Sequence, residues 1–151
     1  MINRWDRGRA EVDLLLKQGR LTRVAANRDL AQAQVHLTAA VTLRDLDPAG
    51  AFTLTYDAAR LALAAILVNQ GLKARGEGAH AVLFEVAIAQ LEPPRQVEIR
   101  EFDWMRRLRN STPYPDLDRP SASVDDVDQA VPAARAIVDR AVRLIELMPA
   151  Y

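Results

Sequence analysis

The residues best suited to chemistry stand close together: Arg106, Arg107, Arg109 and Asn110, running into Ser111, Thr112, Pro113, Tyr114 and Pro115. A guanidinium grips a phosphate through a fork of N–H groups. An amide beside it can donate to a phosphate or to a ribose hydroxyl. A third group that moves the proton of a 2′-hydroxyl would complete the needs of RNA cleavage without a metal. Arg109, Asn110 and Tyr114 are the candidates for these three catalytic roles. An unperturbed phenol has a pKa of about 10, so Tyr114 acts as a base only if Arg106 and Arg109 pull that value down. As a hydrogen-bond donor or a stacking platform for a base it needs no shift. The plainer alternative makes Arg106, Arg107 and Arg109 a solvated or ion-paired helix end.

A second set of groups lies upstream. His80 follows Gly76, Glu77, Gly78 and Ala79, at a helix start where unpaired backbone N–H groups favour anions. It is either a second candidate base or an ordinary helix-start histidine. The glycine pattern lacks the third glycine of a dinucleotide-binding loop, and no strand is expected before it. Tyr56, Asp57 and Arg60 fall within about one helical turn of one another. They would line a cleft against Arg109, or Asp57 would be the buried partner that orients an arginine. Lys73 and Arg75 add charge to a glycine-rich loop. Arg60, Lys73, Arg75, Arg106 and Arg107, with Tyr56 and His80, form the candidate nucleic-acid-binding set. His36 sits among polar neighbours in mid-helix and reads as exposed or as capping a seam.

Helices must position these groups. Alanine and leucine dominate, and β-branched runs bounded by turn residues are missing, which favours helix throughout. The pattern predicts a short helix over 9–18 closed by Gly19, then a longer one over 22–44 with Leu30, Ala33, Leu37 and Val41 on one face. Asp47 and Pro48 read as an N-cap followed by proline at the first helical position. The third helix then covers 48–70, with Leu54, Ala58, Leu61, Ala65 and Val68 as its apolar stripe, and stops at Gly71. Residues 71–78 read as a loop, 79–91 as a fourth helix ended by Pro93 and Pro94, and 96–110 as a fifth. In the fifth, Phe102, Met105 and Arg109 share a face, which puts Arg109 at the rim of an apolar stripe, and Asp103 pairs with Arg107 at i, i+4. A linker covers about 111–123. Ser123 and Asp126 form a capping pair for a last helix with an even apolar seam from Val124 to Met148. Pro132 should kink that helix or mark its true start. The expected fold is all-α, an antiparallel bundle of five or six helices in a single domain spanning 1–151, with its core over about 9–148.

Composition narrows the function. The chain has 151 residues, enough for a real core. Positive and negative side chains balance at 20 each, so net charge alone does not point to nucleic acid. Only Lys17 and Lys73 are lysines; the other 18 cations are arginines, which bind phosphate bidentately and stack on bases where lysine does not. With no cysteine and two histidines, no disulfide, metal site or cofactor is expected. The N-terminal segment is polar and charged, without an apolar signal stretch behind it. The longest apolar run, Leu61 to Val68, falls short of the roughly 18 residues of a membrane span. A cytoplasmic protein without membrane contact is expected.

Three segments, in order, resemble HEPN domains (higher eukaryotes and prokaryotes nucleotide-binding). One is Tyr56-Asp57-Ala58-Ala59-Arg60 with the later Gly71-Leu72-Lys73; the second is Gly76 to His80; the third is Arg109-Asn110. The likeness is to an actinobacterial-type branch and covers about residues 12–145. Ribonuclease members of that family carry an arginine, often followed by asparagine, and a histidine four to six residues further on. Here the histidine position falls on Tyr114, four residues after Arg109. The resemblance implies a helical bundle, a homodimer that brings two arginine-bearing ends into one cleft, and binding of RNA or a nucleotide. It implies an endoribonuclease toxin of a toxin–antitoxin or phage-defence system, with a partner such as a minimal nucleotidyltransferase. The alternative is a non-catalytic helical scaffold that binds a nucleotide or a protein and has lost the catalytic histidine.

Overall fold

The computed structural model describes residues 8–25, 30–76, 78–91, 96–111 and 122–147. Among them are six helices and one small sheet: α1 (Arg9–Lys17), β1 (Leu21–Arg23), α2 (Ala31–Leu43), α3 (Pro48–Asn69), β2 (Leu72–Ala74), α4 (Ala79–Leu91), α5 (Gln96–Ser111) and α6 (Val124–Ile145). The fold is an all-α bundle, with α3 packed against α2, α4, α5, α6 and β2.

Local chemistry sets the ends of the long helices. The Asp47 carboxylate accepts from the backbone N–H of Gly50 at 2.9 Å, and Pro48 supplies the first helical position, where its missing N–H costs nothing. At the other end Gly71 takes a left-handed φ of +83°, and its N–H donates to the Val68 carbonyl at 2.9 Å. Any other residue there would be strained, and a Cβ would lie 3.2 Å from the Val24 carbonyl oxygen. At the start of α6 the Ser123 hydroxyl accepts from the Asp126 N–H at 3.2 Å while Asp126 accepts from the Ser123 N–H at 2.8 Å, a closed capping box.

Three expectations change. The helix expected over 22–44 begins only at Ala31, because Leu21–Arg23 forms a strand. That strand pairs antiparallel with β2, Thr22 opposite Lys73, inside the segment expected to be a loop. A strand therefore does precede the Gly76–Gly78 turn. Neither strand pattern is strong by itself; each is held by the other and by Leu21 and Leu72, both buried. Second, the buried face of α3 is broader than the stripe expected for it. Phe52, Thr55, Tyr56, Ala59, Ala62 and Ile66 are buried, whereas Leu54, Leu61 and Val68 are only partly so. α3 is long and apolar enough to cross a membrane, but most of it is covered by the bundle, as in a core helix. Third, Pro132 neither breaks α6 nor starts it, and the helix runs on from Val124 to Ile145.

Two apolar clusters result. The larger joins α2, α3, α5 and α6 around Phe52, Tyr56, Phe102, Met105 and Ile137. The smaller fills the space under the sheet with Val12, Leu15, Leu21, Leu72, Val82 and Val86. Within the first, Phe52 meets Trp104 edge to face at 5.7 Å. Replacing Phe52 by alanine should cost about 3–5 kcal/mol in chemical denaturation; a loss below about 1 kcal/mol would mean that this position is not the centre of the core.

Candidate functional site

The site is built on a tyrosine with no exposed surface. Tyr56 projects from α3 into the core, its ring nearly parallel to that of Phe102 from α5, with centroids 5.6 Å apart. Its hydroxyl needs a polar partner, since a buried phenol without one costs free energy. That partner is Nδ1 of His80, at 2.7 Å. His80 is the second residue of α4. Gly78, just before that helix, takes φ +77° to make the turn, and its carbonyl accepts from the Val82 N–H at 3.0 Å. The Tyr56–His80 bond thus ties α3 to the start of α4, and the Phe102 ring ties both to α5.

Charge gathers at the same place. The Arg109 guanidinium lies 5.7 Å from the centroid of the Tyr56 ring, within cation–π range. Among the described residues no carboxylate pairs with it. Arg60 approaches Asp57 at 3.5 Å, one helical turn away. Asp103, largely buried, receives Arg106 at 2.8 Å and Arg107 at 2.7 Å. The expected Asp103–Arg107 pair is present, and Asp103 holds Arg106 as well.

Burial dominates the ionisation of both members of the central pair. It pushes the Tyr56 phenol up to about 12, against the opposing pull of Arg109, Arg60 and Arg106 and with a small push from Asp57. It also lowers His80 below its ordinary value. Arg60, Arg109 and Arg106 lower it further, and only Asp57 opposes them. At neutral pH the pair is a neutral phenol bonded to a neutral imidazole. If Nδ1–H donates to the phenol oxygen, Nε2 keeps a lone pair and is a base. If the phenol donates to Nδ1, Nε2 carries the proton and is a donor.

A cleft of about 330 Å³ opens beside this pair, lined by Gly76, Gly78, Ala79, His80, Ala81, Arg106 and Asn110. The α5 residues Arg106 and Asn110 therefore face the α4 start across one space. Arg107 points to solvent beyond Asp103, and Asn110 is exposed at the cleft. Lys73 and Arg60 line a second, smaller cleft on the β2 side of His80. Arg75 is exposed and outside the lining of both; its backbone N–H extends the sheet by donating to the Arg20 carbonyl at 2.9 Å. Tyr56 is too buried to touch a nucleic acid, so its place is beneath the site. Tyr114 lies outside the described residues. His36 is partly exposed and stands near Gln32, away from the cleft. Among the described residues no group of acidic or histidine side chains is arranged to hold a metal ion.

His80 gives this geometry a pH signature. Its folded value is lower than the ordinary 6.5, so the unfolded chain binds the proton more readily in the window between the two. The stabilisation is complete above the unfolded value and is lost as pH falls through that window. Going from about pH 7.5 to about pH 5.5 should lower the melting temperature, and His80→Gln should show a smaller drop. Equal drops in the two proteins would show that His80 does not titrate in this way.

No curated protein and no solved structure matches the chain. The model of the HEPN domain matches residues 22–145, from β1 through the end of α6, and takes in Tyr56, His80, Arg106 and Arg109. With well over half its length so matched, the chain belongs to the HEPN domain family.

Proposed function

We propose that the cleft binds single-stranded RNA and that the protein is an endoribonuclease, acting as a toxin of a toxin–antitoxin or phage-defence system. The observation that carries this reading is the neutral His80, hydrogen-bonded to Tyr56 at 2.7 Å and lying under the field of Arg60, Arg106 and Arg109. Strong positive charge around an uncharged base suits a phosphodiester: the arginines hold the anion while the imidazole keeps its lone pair. In this reading His80, rather than Tyr114, is the base. Nε2 takes the proton of a ribose 2′-hydroxyl. The 2′ oxygen attacks the adjacent phosphorus, and the bond to the 5′ oxygen breaks. That oxygen leaves with a proton from solvent, giving a 2′,3′-cyclic phosphate and a 5′-hydroxyl end. Tyr56 accepts from the Nδ1–H of the resulting imidazolium, and Arg106 and Arg109 balance the charge that builds on the non-bridging phosphoryl oxygens. Asn110 orients the phosphate or the ribose. A homodimer, a cytoplasmic location and an antitoxin such as a minimal nucleotidyltransferase belong to the same proposal.

The test is expression followed by growth measurement and RNA analysis. The wild type should slow growth and leave cyclic-phosphate ends. His80→Gln should lower cleavage by about 10²–10⁴-fold, the usual contribution of a general base, while Tyr114→Phe should change it little. Arg109→Ala should weaken RNA binding and make the slope of log affinity against log salt shallower by about 0.7, one phosphate contact on a single strand. If the pattern reverses, with Tyr114→Phe silent and His80→Gln active, the proton carrier is Tyr114. One feature favours the second reading, a non-catalytic scaffold: a tyrosine stands at the position of the family's histidine. RNA binding sensitive to Arg109→Ala but without any cleavage would establish it.

A further inference from the structure

His80 and Ala79 line two clefts, not one. The second lies between α3, β2 and α4 and measures about 160 Å³. Its walls are largely aliphatic, from Ala64, Leu67, Val68, Ala74 and Leu83, and its two cations are Arg60 and Lys73. The two spaces differ in chemistry. The first presents Arg106, Asn110 and the glycine turn, which suits a phosphate and a sugar. The second presents aliphatic carbon together with an imidazole and a guanidinium, the two kinds of flat group on which nucleobases stack.

We propose that this second cleft is a subsite for a single-ring base, the pyrimidine of a nucleotide adjoining the phosphate in the first cleft. The inference rests on the RNA-binding reading above and adds to it a substrate preference. Size sets the choice of ring: an apolar cavity of roughly 150 Å³ accommodates one benzene ring, and this cleft has about that volume. A purine carries a second fused ring and would have to stand partly out in solvent. Continuity sets the placement, because His80 borders both spaces and a nucleotide whose phosphate sits beside Arg106 has its base within one sugar's reach. Charge complementarity fits as well. Lys73 is exposed at the β2 edge and Arg60 is half-buried, which places positive charge where the next phosphate of the strand would run.

The test is direct binding to the intact protein of two dinucleotides, UpU and ApA, each with a 2′-deoxy first sugar so that no cleavage intervenes. Wild type should bind UpU roughly five-fold or more tighter than ApA, the scale of one stacked base. Ala64→Leu, on a partly exposed position of α3, should fill the cleft and bring UpU down to the level of ApA while leaving ApA itself within about two-fold. Ala74→Leu, from β2, should do the same, so that a folding defect in one variant does not decide the matter; melting curves identify such a defect. Equal binding of the two dinucleotides by wild type, with both weakened by Arg109→Ala, would overturn the base subsite and leave RNA binding standing. Failure of wild type to bind either dinucleotide, or any longer single strand, would overturn both.

Discussion

Tyr56 is the largest fully buried side chain among the described residues, and its hydroxyl cannot be left without a partner in the core. That constraint organises the rest. Apolar packing alone would accept phenylalanine at this position. A hydroxyl there requires a polar group to reach into the bundle, and the start of α4 delivers one, His80 at 2.7 Å. The bond spans 24 positions in sequence and joins the centre of α3 to the mouth of the cleft. Because the Tyr56 ring also lies against Phe102, the orientation of α5, and with it the arginine end, is referred to the same point. The core and the site are not separate constructions: one face of Tyr56 belongs to the packing and its oxygen belongs to the chemistry.

The arginine end of α5 is organised by a division of labour that its sequence alone does not display. Three arginines in four positions would repel one another if all were equally exposed to the same space. Asp103 removes much of that repulsion by taking Arg106 and Arg107 together, at 2.8 and 2.7 Å. Its side chain is largely shielded from solvent, so these contacts are screened less than a surface pair would be. Arg106 stays at the cleft wall with its direction fixed, and Arg107 is carried outward. Arg109 is treated differently. Among the described residues it has an aromatic face rather than a carboxylate for company. A cation–π contact leaves the N–H groups of a guanidinium available for an anion, where a bidentate carboxylate would occupy them. Lysine would not serve equally, since it lacks the flat face and the fork.

Much of the fold is legible in the sequence. Asp47-Pro48 and Ser123–Asp126 carry their own caps, and helix ends of that kind depend on neighbours three or four residues away. The Phe102-Met105-Arg109 face was readable for the same reason, as was the order of the three family-like segments. What was not legible depended on distant partners. Leu21–Arg23 and Leu72–Ala74 are too short to announce themselves as strands, and each becomes one only because the other lies alongside. The expected α3 stripe holds at Ala58 and Ala65 but misses the rest of the buried surface, because a helix packed against four others has no single buried face. His80 could be read as an ordinary helix-start histidine because nothing near it in sequence shows that its Nδ1 meets Tyr56. Proline at 132 kept its place in α6 although proline usually interrupts helices.

The electrostatics of the site carry an argument about what it is for. Three arginines around a half-buried imidazole do not stabilise the empty protein through that imidazole: they lower its affinity for a proton, and burial acts in the same direction. A fold selected only for stability would favour a carboxylate beside Arg109. None is present among the described residues; the carboxylate that opposes the arginines at His80 is Asp57, itself drawn toward Arg60. Among the described residues Arg60 and Arg106 have carboxylate partners and Arg109 has none, so positive charge exceeds negative charge beside the imidazole. An anion entering there would relieve the excess, and relief of that kind is how a site gains affinity for a ligand. The Tyr56 hydroxyl makes the same arrangement durable, because it gives the imidazole a neutral partner that supplies no countercharge.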